Sequence, residues 1–178
     1  MRYRRIFVQG GTYFFTVVTY QRAKLFNITT NVDLLISAIE YVHKRHPFNT
    51  IAQVILPDHL HVIWELPEGD SNYPTRWYLI KSHFSRNFNK QSGILTSLRM
   101  SKGERTVWQR RYWEHTIQDD DDLDKHIDYI HFNPVHHGLV KSPGEWGLST
   151  FQRFVQENRY APDWTMDLGK DNWKTVRE

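Results

Sequence analysis

The chain has 178 residues, enough for one domain with a real hydrophobic core and short for two. It carries 23 Lys and Arg against 20 Asp and Glu, a net charge of +3, 15% aromatic residues, a pI near 9.1 and a mean hydropathy of −0.64. That describes a soluble, mildly basic chain that favours an anionic partner such as nucleic acid. It has no cysteine, which excludes disulfides and thiolate metal sites and suits a reducing cytoplasm, the expected location.

The start, Met1-Arg2-Tyr3-Arg4-Arg5, is basic, but Gln9-Gly10-Gly11 interrupts the apolar stretch behind it. The apolar run from Tyr13 to Val18 is far shorter than the about 20 residues needed to span a bilayer, so no signal peptide or membrane partner is expected. Thr12 to Tyr20 is β-branched and aromatic, a strand whose blurred alternation fits cover on both faces. Val32, Leu35, Ile36, Ile39 and Val42 follow helical spacing, with Thr30 or Asn31 as N-cap and His46-Pro47 as the stop. Thr50 to Leu56 reads as a second strand. Pro57-Asp58 makes a tight connection, and Leu60, Val62 and Trp64 set the apolar parity of a third strand ending near Pro67.

Pro74 suits the first turn of a second helix with a buried stripe of Trp77, Ile80, Phe84 and Phe88. Ser92 to Arg105 has no period and reads as a loop, and Val107 to Ile117 as a fourth strand. The run Asp119-Asp120-Asp121-Asp122 suits a helix N-terminus, where negative charge meets the macrodipole. That helix is expected to end near Phe132, because Pro134 disfavours helical geometry at Asn133. The order β-α-β-β-α-β plus one further helix predicts an α+β fold. It is a ferredoxin-like split βαβ sandwich: a four-stranded antiparallel sheet with helices on one face and an additional C-terminal helix carrying Tyr129. Residues 1–160 are expected to form one catalytic domain, and 161–178 a polar tail.

Two pairs of residues carry chemistry. His59 and His61 are two apart on a strand, so both imidazoles point to one spot, away from Leu60 and Val62. A lone His-x-His is more often a pair of surface histidines than a metal site. Tyr129 and Asn133 are four apart on a helix and so are neighbours. They run with Asp122 and His126 along a different side from the apolar stripe of Leu123, Ile127 and Ile130. A lone tyrosine there is ordinarily a ring at the margin with a wet hydroxyl, and Asn before Pro is ordinary stop chemistry.

Together the set is more than its parts. A phenol with a pKa of about 10 is a poor nucleophile at neutral pH. A divalent ion on two imidazoles and an amide oxygen keeps its full charge, because no ligand is anionic. It then polarises a phosphate and favours phenolate. Such ligation admits Mg²⁺ or Mn²⁺, with Zn²⁺ or Co²⁺ possible in vitro. His126, one turn before Tyr129, is placed to hydrogen-bond the phenol. His115, His126, His131, His136 and His137 raise a second metal site, but their spacings match no tight ligand pattern, and most read as surface or DNA-facing.

For DNA contact, Arg2, Arg4 and Arg5 at the N-terminus suit phosphates or a groove. Lys81, Arg86 and Lys90 accompany the aromatics of the second helix, and Arg110 and Arg111 sit between Trp108, Tyr112 and Trp113. Basic groups among aromatics suit a single strand, whose bases stack on rings. The bland alternative is a solvated face above a core stripe.

The motifs "DHLHVIWELP", "WQRRYWEHTI" and "YIHFNPVHHGLV", in that order, resemble the REP-associated tyrosine transposases, relatives of the IS200/IS605 transposases within the HUH single-strand nucleases. The opening "YRRIFVQGGTYFFTVVTYQR" and the segment "KSHFSRNF" share the likeness, which spans about Tyr3 to Phe151. The resemblance implies Tyr129 as the single nucleophile and His59 and His61 as the metal histidines. Asn133 would complete the metal site in place of the glutamine of some relatives. It also implies a substrate of single-stranded DNA at REP-like palindromes that fold into hairpins, cut beside the stem foot. Trp146 and Ser149 match the family pattern only approximately. Relatives include monomers and homodimers, and no apolar stripe here chooses between them. Two rival readings stand beside this one: a small metallohydrolase built on His59 and His61, and a non-catalytic hairpin-binding protein.

Overall fold

The computed structural model describes residues 7–92 and 107–166. Four strands, β1 (Thr12–Val18), β2 (Asn49–Ile55), β3 (His59–Glu65) and β4 (Trp113–Thr116), form one sheet in the order β2-β3-β1-β4. All three pairings are antiparallel. The helices are α1 (Thr29–His43), α2 (Tyr73–Ser92), α3 (Asp120–His136) and a short α4 (Phe151–Gln156).

Strand alternation sorts the side chains into two cores. Tyr13, Phe15 and Val17 of β1 and Leu60, Val62 and Trp64 of β3 pack with α1 and α2 on one face. Phe14, Ile63, Ala52 and Val54 pack with Ile127, Tyr129 and Ile130 of α3 and Phe154 of α4 on the other. The two central strands are therefore covered on both faces and lose the polar–apolar alternation of a half-exposed sheet. The first core is aromatic: Trp64 stacks on Trp77 at 4.3 Å and meets Phe48 at 4.1 Å. Burying side chains of this size contributes on the order of 2–3 kcal/mol each. Arg76 at the start of α2 is 2% exposed, with its guanidinium on the carbonyls of His46, Pro47 and Asn72 and on Asp70 Oδ2 at 2.7 Å. It ties α2 to the α1–β2 connection.

The expected fold class is the one observed, with α1 and α2 on one face and α3 bearing Tyr129 on the other. Four details differ. The fourth strand is only Trp113–Thr116, because 108 and 109 touch β1 through an isolated bridge from Trp108 to Thr19 and a bond from Gln109 N–H to the Val18 carbonyl. α1 starts at Thr29 without a side-chain cap, and Asn31 donates to the Leu25 carbonyl instead. Its buried stripe is Val32, Leu35, Ala38 and Val42, while Ile36 is exposed. Most tellingly, α3 runs through Pro134 to His136. The true stop is Gly138 at φ +66°, where Gly138 N–H bonds the Val135 carbonyl and Leu139 N–H the Pro134 carbonyl. That paired closure needs a left-handed residue, which glycine adopts without a Cβ penalty. The loop expected over Ser92 to Arg105 lies outside the described residues beyond Ser92.

Candidate active site on the α3 face of the sheet

His59 and His61 sit on β3 opposite Val18 and Thr16 of β1. Their side chains face α3, as the parity of Leu60 and Val62 requires. The face they meet is a second core, not solvent: His59 is 2% exposed and His61 0%. The ring centroids are 4.9 Å apart at 84°. Each Nδ1 is committed, His61 to Thr16 Oγ1 at 2.9 Å and His59 to Asp58 Oδ1 at 2.6 Å. Because a carboxylate only accepts, His59 carries its proton on Nδ1 and its lone pair on Nε2.

Asp58 is itself positioned. Thr19 N–H holds its carbonyl at 2.9 Å, and Arg22 Nη1 reaches Oδ2 at 3.3 Å. Gln21 and Arg22 both adopt positive φ, 53° and 51°, a backbone cost on the order of 1–3 kcal/mol each that delivers the guanidinium to Asp58. Burial pushes the Asp58 carboxyl up, but the bonds and charges of His59 and Arg22 outweigh it and hold it below the usual range. Asp58 and Thr16 were not among the residues expected to matter. An acid directly before the first histidine was the available signal.

α3 supplies the other half. His126, Tyr129, Asn133 and His137 recur at three- and four-residue steps along one side. The His126 ring lies 4.8 Å from Phe14, the Tyr129 ring 5.2 Å from His61 at 72°, and the His137 ring 5.2 Å from His59. Asn133 lies between Tyr129 and His137 on this row and so faces the histidine pair. It is 1% exposed, and neither its Oδ1 nor its Nδ2 has a hydrogen-bond partner among the described residues. Leaving a buried amide group unbonded costs about 1–3 kcal/mol. An oxygen held dry beside two imidazoles fits a cation ligand, and the neutral donor set suits a divalent ion.

Three expectations need correction. Tyr129 is not at the wet margin of the bland alternative: it is 5% exposed and part of the second core, because α3 lies against the sheet and packs its ring beside Phe14 and His61. His126 does not turn to the phenol; its Nδ1 is 2.8 Å from the Asp122 carbonyl oxygen, and its ring stacks on His115 at 4.6 Å. His131 is neither surface nor DNA-facing. It is fully buried, with Nε2 on Thr150 Oγ1 at 2.8 Å and its ring against Phe151 and Phe154.

The basic residues separate. Arg2, Arg4 and Arg5 lie outside the described residues, as does the side chain of Lys90. Arg86, Arg110 and Arg111 are exposed. Lys81 donates to the Gln109 carbonyl at 3.0 Å and lies over the Tyr112 ring at 5.2 Å, which places it beside Arg110 and Arg111. Trp108 is 5% exposed and packs on Phe26 and Phe84, so it is core and not a stacking platform. Trp146 and Ser149 fasten the C-terminal segment to β2, through Trp146 Nε1 on the Ile55 carbonyl at 3.0 Å and a bridge from Ser149 to Val54.

A family model described as "Transposase IS200 like" matches residues 7–133, from just before β1 to Asn133. The chain belongs to the IS200-like transposase family. A REP-associated tyrosine transposase of Escherichia coli is 41% identical over 167 residues, covering 93% of this chain and 92% of the relative. A Haemophilus influenzae protein named for the same group is 43% identical over 162 residues, 91% of this chain and 92% of that one. The solved structure of a REP-associated tyrosine transposase bound to a REP hairpin superposes with a TM-score of 0.80 at 40% identity, over 94% of this chain and 93% of that chain. Membership of the IS200-like family implies a divalent metal. No helix among the described residues is long and apolar enough to cross a membrane.

Proposed function

We propose that this IS200-like transposase is a metal-dependent endonuclease and strand transferase that cuts and rejoins hairpin-forming single-stranded DNA through Tyr129. The observation that carries the reading is the α3 row, which sets the Tyr129 ring 5.2 Å from His61 and, one turn on, the buried Asn133 amide, which has no hydrogen-bond partner among the described residues. The hairpin substrate, a REP-like palindrome, is supported by the REP hairpin held by the 40% identical structure.

His59 and His61 through Nε2, and Asn133 through Oδ1, would hold the ion. A bound Mg²⁺ or Mn²⁺ supplies positive charge that polarises the scissile phosphate and favours phenolate. Asp58 and Thr16 keep the two imidazoles in the orientation that offers those nitrogens. The Tyr129 oxygen attacks phosphorus, the bond to the leaving strand breaks, and the leaving oxygen takes up one proton as the phenol gives one up. The phosphotyrosine ester retains the bond energy, so a second strand end reverses the step and is joined without ATP.

The test is labelled single-stranded palindromic DNA incubated with the protein and Mn²⁺ and run on a denaturing protein gel. Label stays on the protein, and is lost with EDTA and in Tyr129→Phe. An adduct that survives Tyr129→Phe removes the nucleophile assignment. Cut DNA with no protein attached indicates a metallohydrolase, and shifted but intact DNA a binding protein.

A further inference from the structure

We propose that His115, Asp122 and His126 form a second metal site, selective for Zn²⁺-like transition ions, that fastens the start of α3 to β4. The three residues are the one group of histidines and acids among the described residues whose ligand atoms all lie within 4.8 Å of one another. His115 stands on β4 opposite Phe14 in register and shares its face of the sheet. Asp122 and His126 are one turn apart on α3, the spacing that aims two side chains at one point.

The Asp122 carboxylate is bracketed, with His115 Nε2 2.8 Å from Oδ2 and His126 Nδ1 3.1 Å from Oδ1. The two imidazoles lie nearly parallel, 4.6 Å apart at 11°. A four-coordinate ion with bonds of about 2.0–2.1 Å needs ligand atoms about 3.3 Å apart. The separations to the carboxylate already approach that value. Asp122 is held in place by the Gln118 N–H on Oδ2 at 2.9 Å and by its own N–H on Asp119 Oδ1 at 2.9 Å.

Donor chemistry selects the ion. Two imidazoles and one carboxylate suit Zn²⁺ or Co²⁺, whereas Mg²⁺ prefers oxygen ligands and retained water. Burial lowers the proton affinity of His126, so the ring is neutral, and Asp122 stays ionised because its bonds to His115 and Gln118 outweigh the opposing effect of burial. On metal entry the proton shifts within each ring, from Nδ1 to Nε2 in His126 and from Nε2, where it faces the Asp122 carboxylate, to Nδ1 in His115, and the bonds to the Asp122 carbonyl and carboxylate are exchanged for metal bonds. No net proton is released from a neutral ring.

This site is separate from the histidine pair of β3. The Phe14 ring lies against both, 4.8 Å from His126 and 5.5 Å from His61, whereas paired catalytic metals stand about 3.5–4 Å apart. Its consequence is mechanical: a strand and a helix are clamped one turn before Tyr129.

Metal stoichiometry tests it independently of any DNA chemistry. The full chain, dialysed against Co²⁺, takes up two ions, and His59→Ala/His61→Ala retains one with the absorption of four-coordinate Co²⁺. His115→Gln, at a partly exposed position, drops the natural chain from two ions to one. In the His59→Ala/His61→Ala background it abolishes both the uptake and the Zn²⁺-induced rise in Tm. A single ion in the natural chain that His59→Ala/His61→Ala removes overturns the proposal, as does full uptake in His115→Gln. The Mg²⁺-dependent adduct at Tyr129 is scored apart from either result.

Discussion

Which nitrogen a histidine offers is decided by what its other nitrogen touches. Asp58 fixes Nδ1 of His59 at 2.6 Å, and removing such a carboxylate ordinarily costs 10- to 100-fold in metal affinity. Asp58→Ala is expected to weaken Mn²⁺ binding by about that factor with little change in Tm, measured by calorimetric titration and melting; unchanged affinity would leave Asp58 a surface acid. His131 makes a second residue-level case. Burial, then the charges of Arg153 and Arg159, lower its pKa from 6.5 to about 3. The folded state therefore binds fewer protons than the unfolded chain. Its contribution is fully present above pH 6.5 and is lost as pH falls towards 3, on the order of 5 kcal/mol over that window. Melting curves should show Tm falling across it, and His131→Gln should flatten the slope. The same slope in the variant would place the acid sensitivity elsewhere.

At the scale of the element, α3 is held at both ends by local chemistry. Asp119 accepts from the Asp122 N–H, and Asp120, Asp121 and Asp122 place negative charge in the first turn. Asp119→Ala is expected to cost about 1 kcal/mol, lowering Tm by about 2–4 °C for a chain of this size. A thermal melt with no shift would mean the cap is idle. The other end shows how a stop signal misleads. Pro134 removes one N–H and crowds one carbonyl within the last turn, but the helix continues because Asn133 and Pro134 are both buried and packing outweighs the local penalty. Gly138 closes it after His136 instead of near Phe132. This extra length carries Asn133 into the helix and His137 against His59.

Across the whole molecule, one sheet separates two tasks. The α1–α2 face is a large aromatic core, and the α3 face buries a polar set of histidines, Tyr129 and Asn133. Gln109 bonds the Val18 carbonyl, and Val18 lies across from His59. The exposed Arg110 and Arg111 thus flank the edge of β1 away from β3, within reach of a strand running towards the site. Arg110→Ala/Arg111→Ala is expected to weaken hairpin binding and to reduce the slope of log affinity against log salt by roughly 1 for each phosphate no longer neutralised. Fluorescence anisotropy over a salt series measures it, and an unchanged slope would move the DNA path elsewhere.

Much of this was readable along the chain. Period-two parity placed His59 and His61 on the side opposite Leu60 and Val62, and a four-residue step aligned Tyr129 with Asn133, because both follow from local backbone geometry. The stripe of Trp77, Ile80, Phe84 and Phe88 was legible for the same reason. Beyond local reading lay everything that depends on cover. Nothing near Tyr129 in the chain announces that α3 is covered on two sides, so the burial of Tyr129 beside Phe14 and His61 of the sheet, and of His131 against Phe151 and Phe154, arises only from packing. Asp122 likewise draws His115 and His126 together across a strand and a helix. Short-range periodicity fixes direction within an element, whereas burial, pKa and partnership arise from residues far apart in the chain, and only packing brings those into contact.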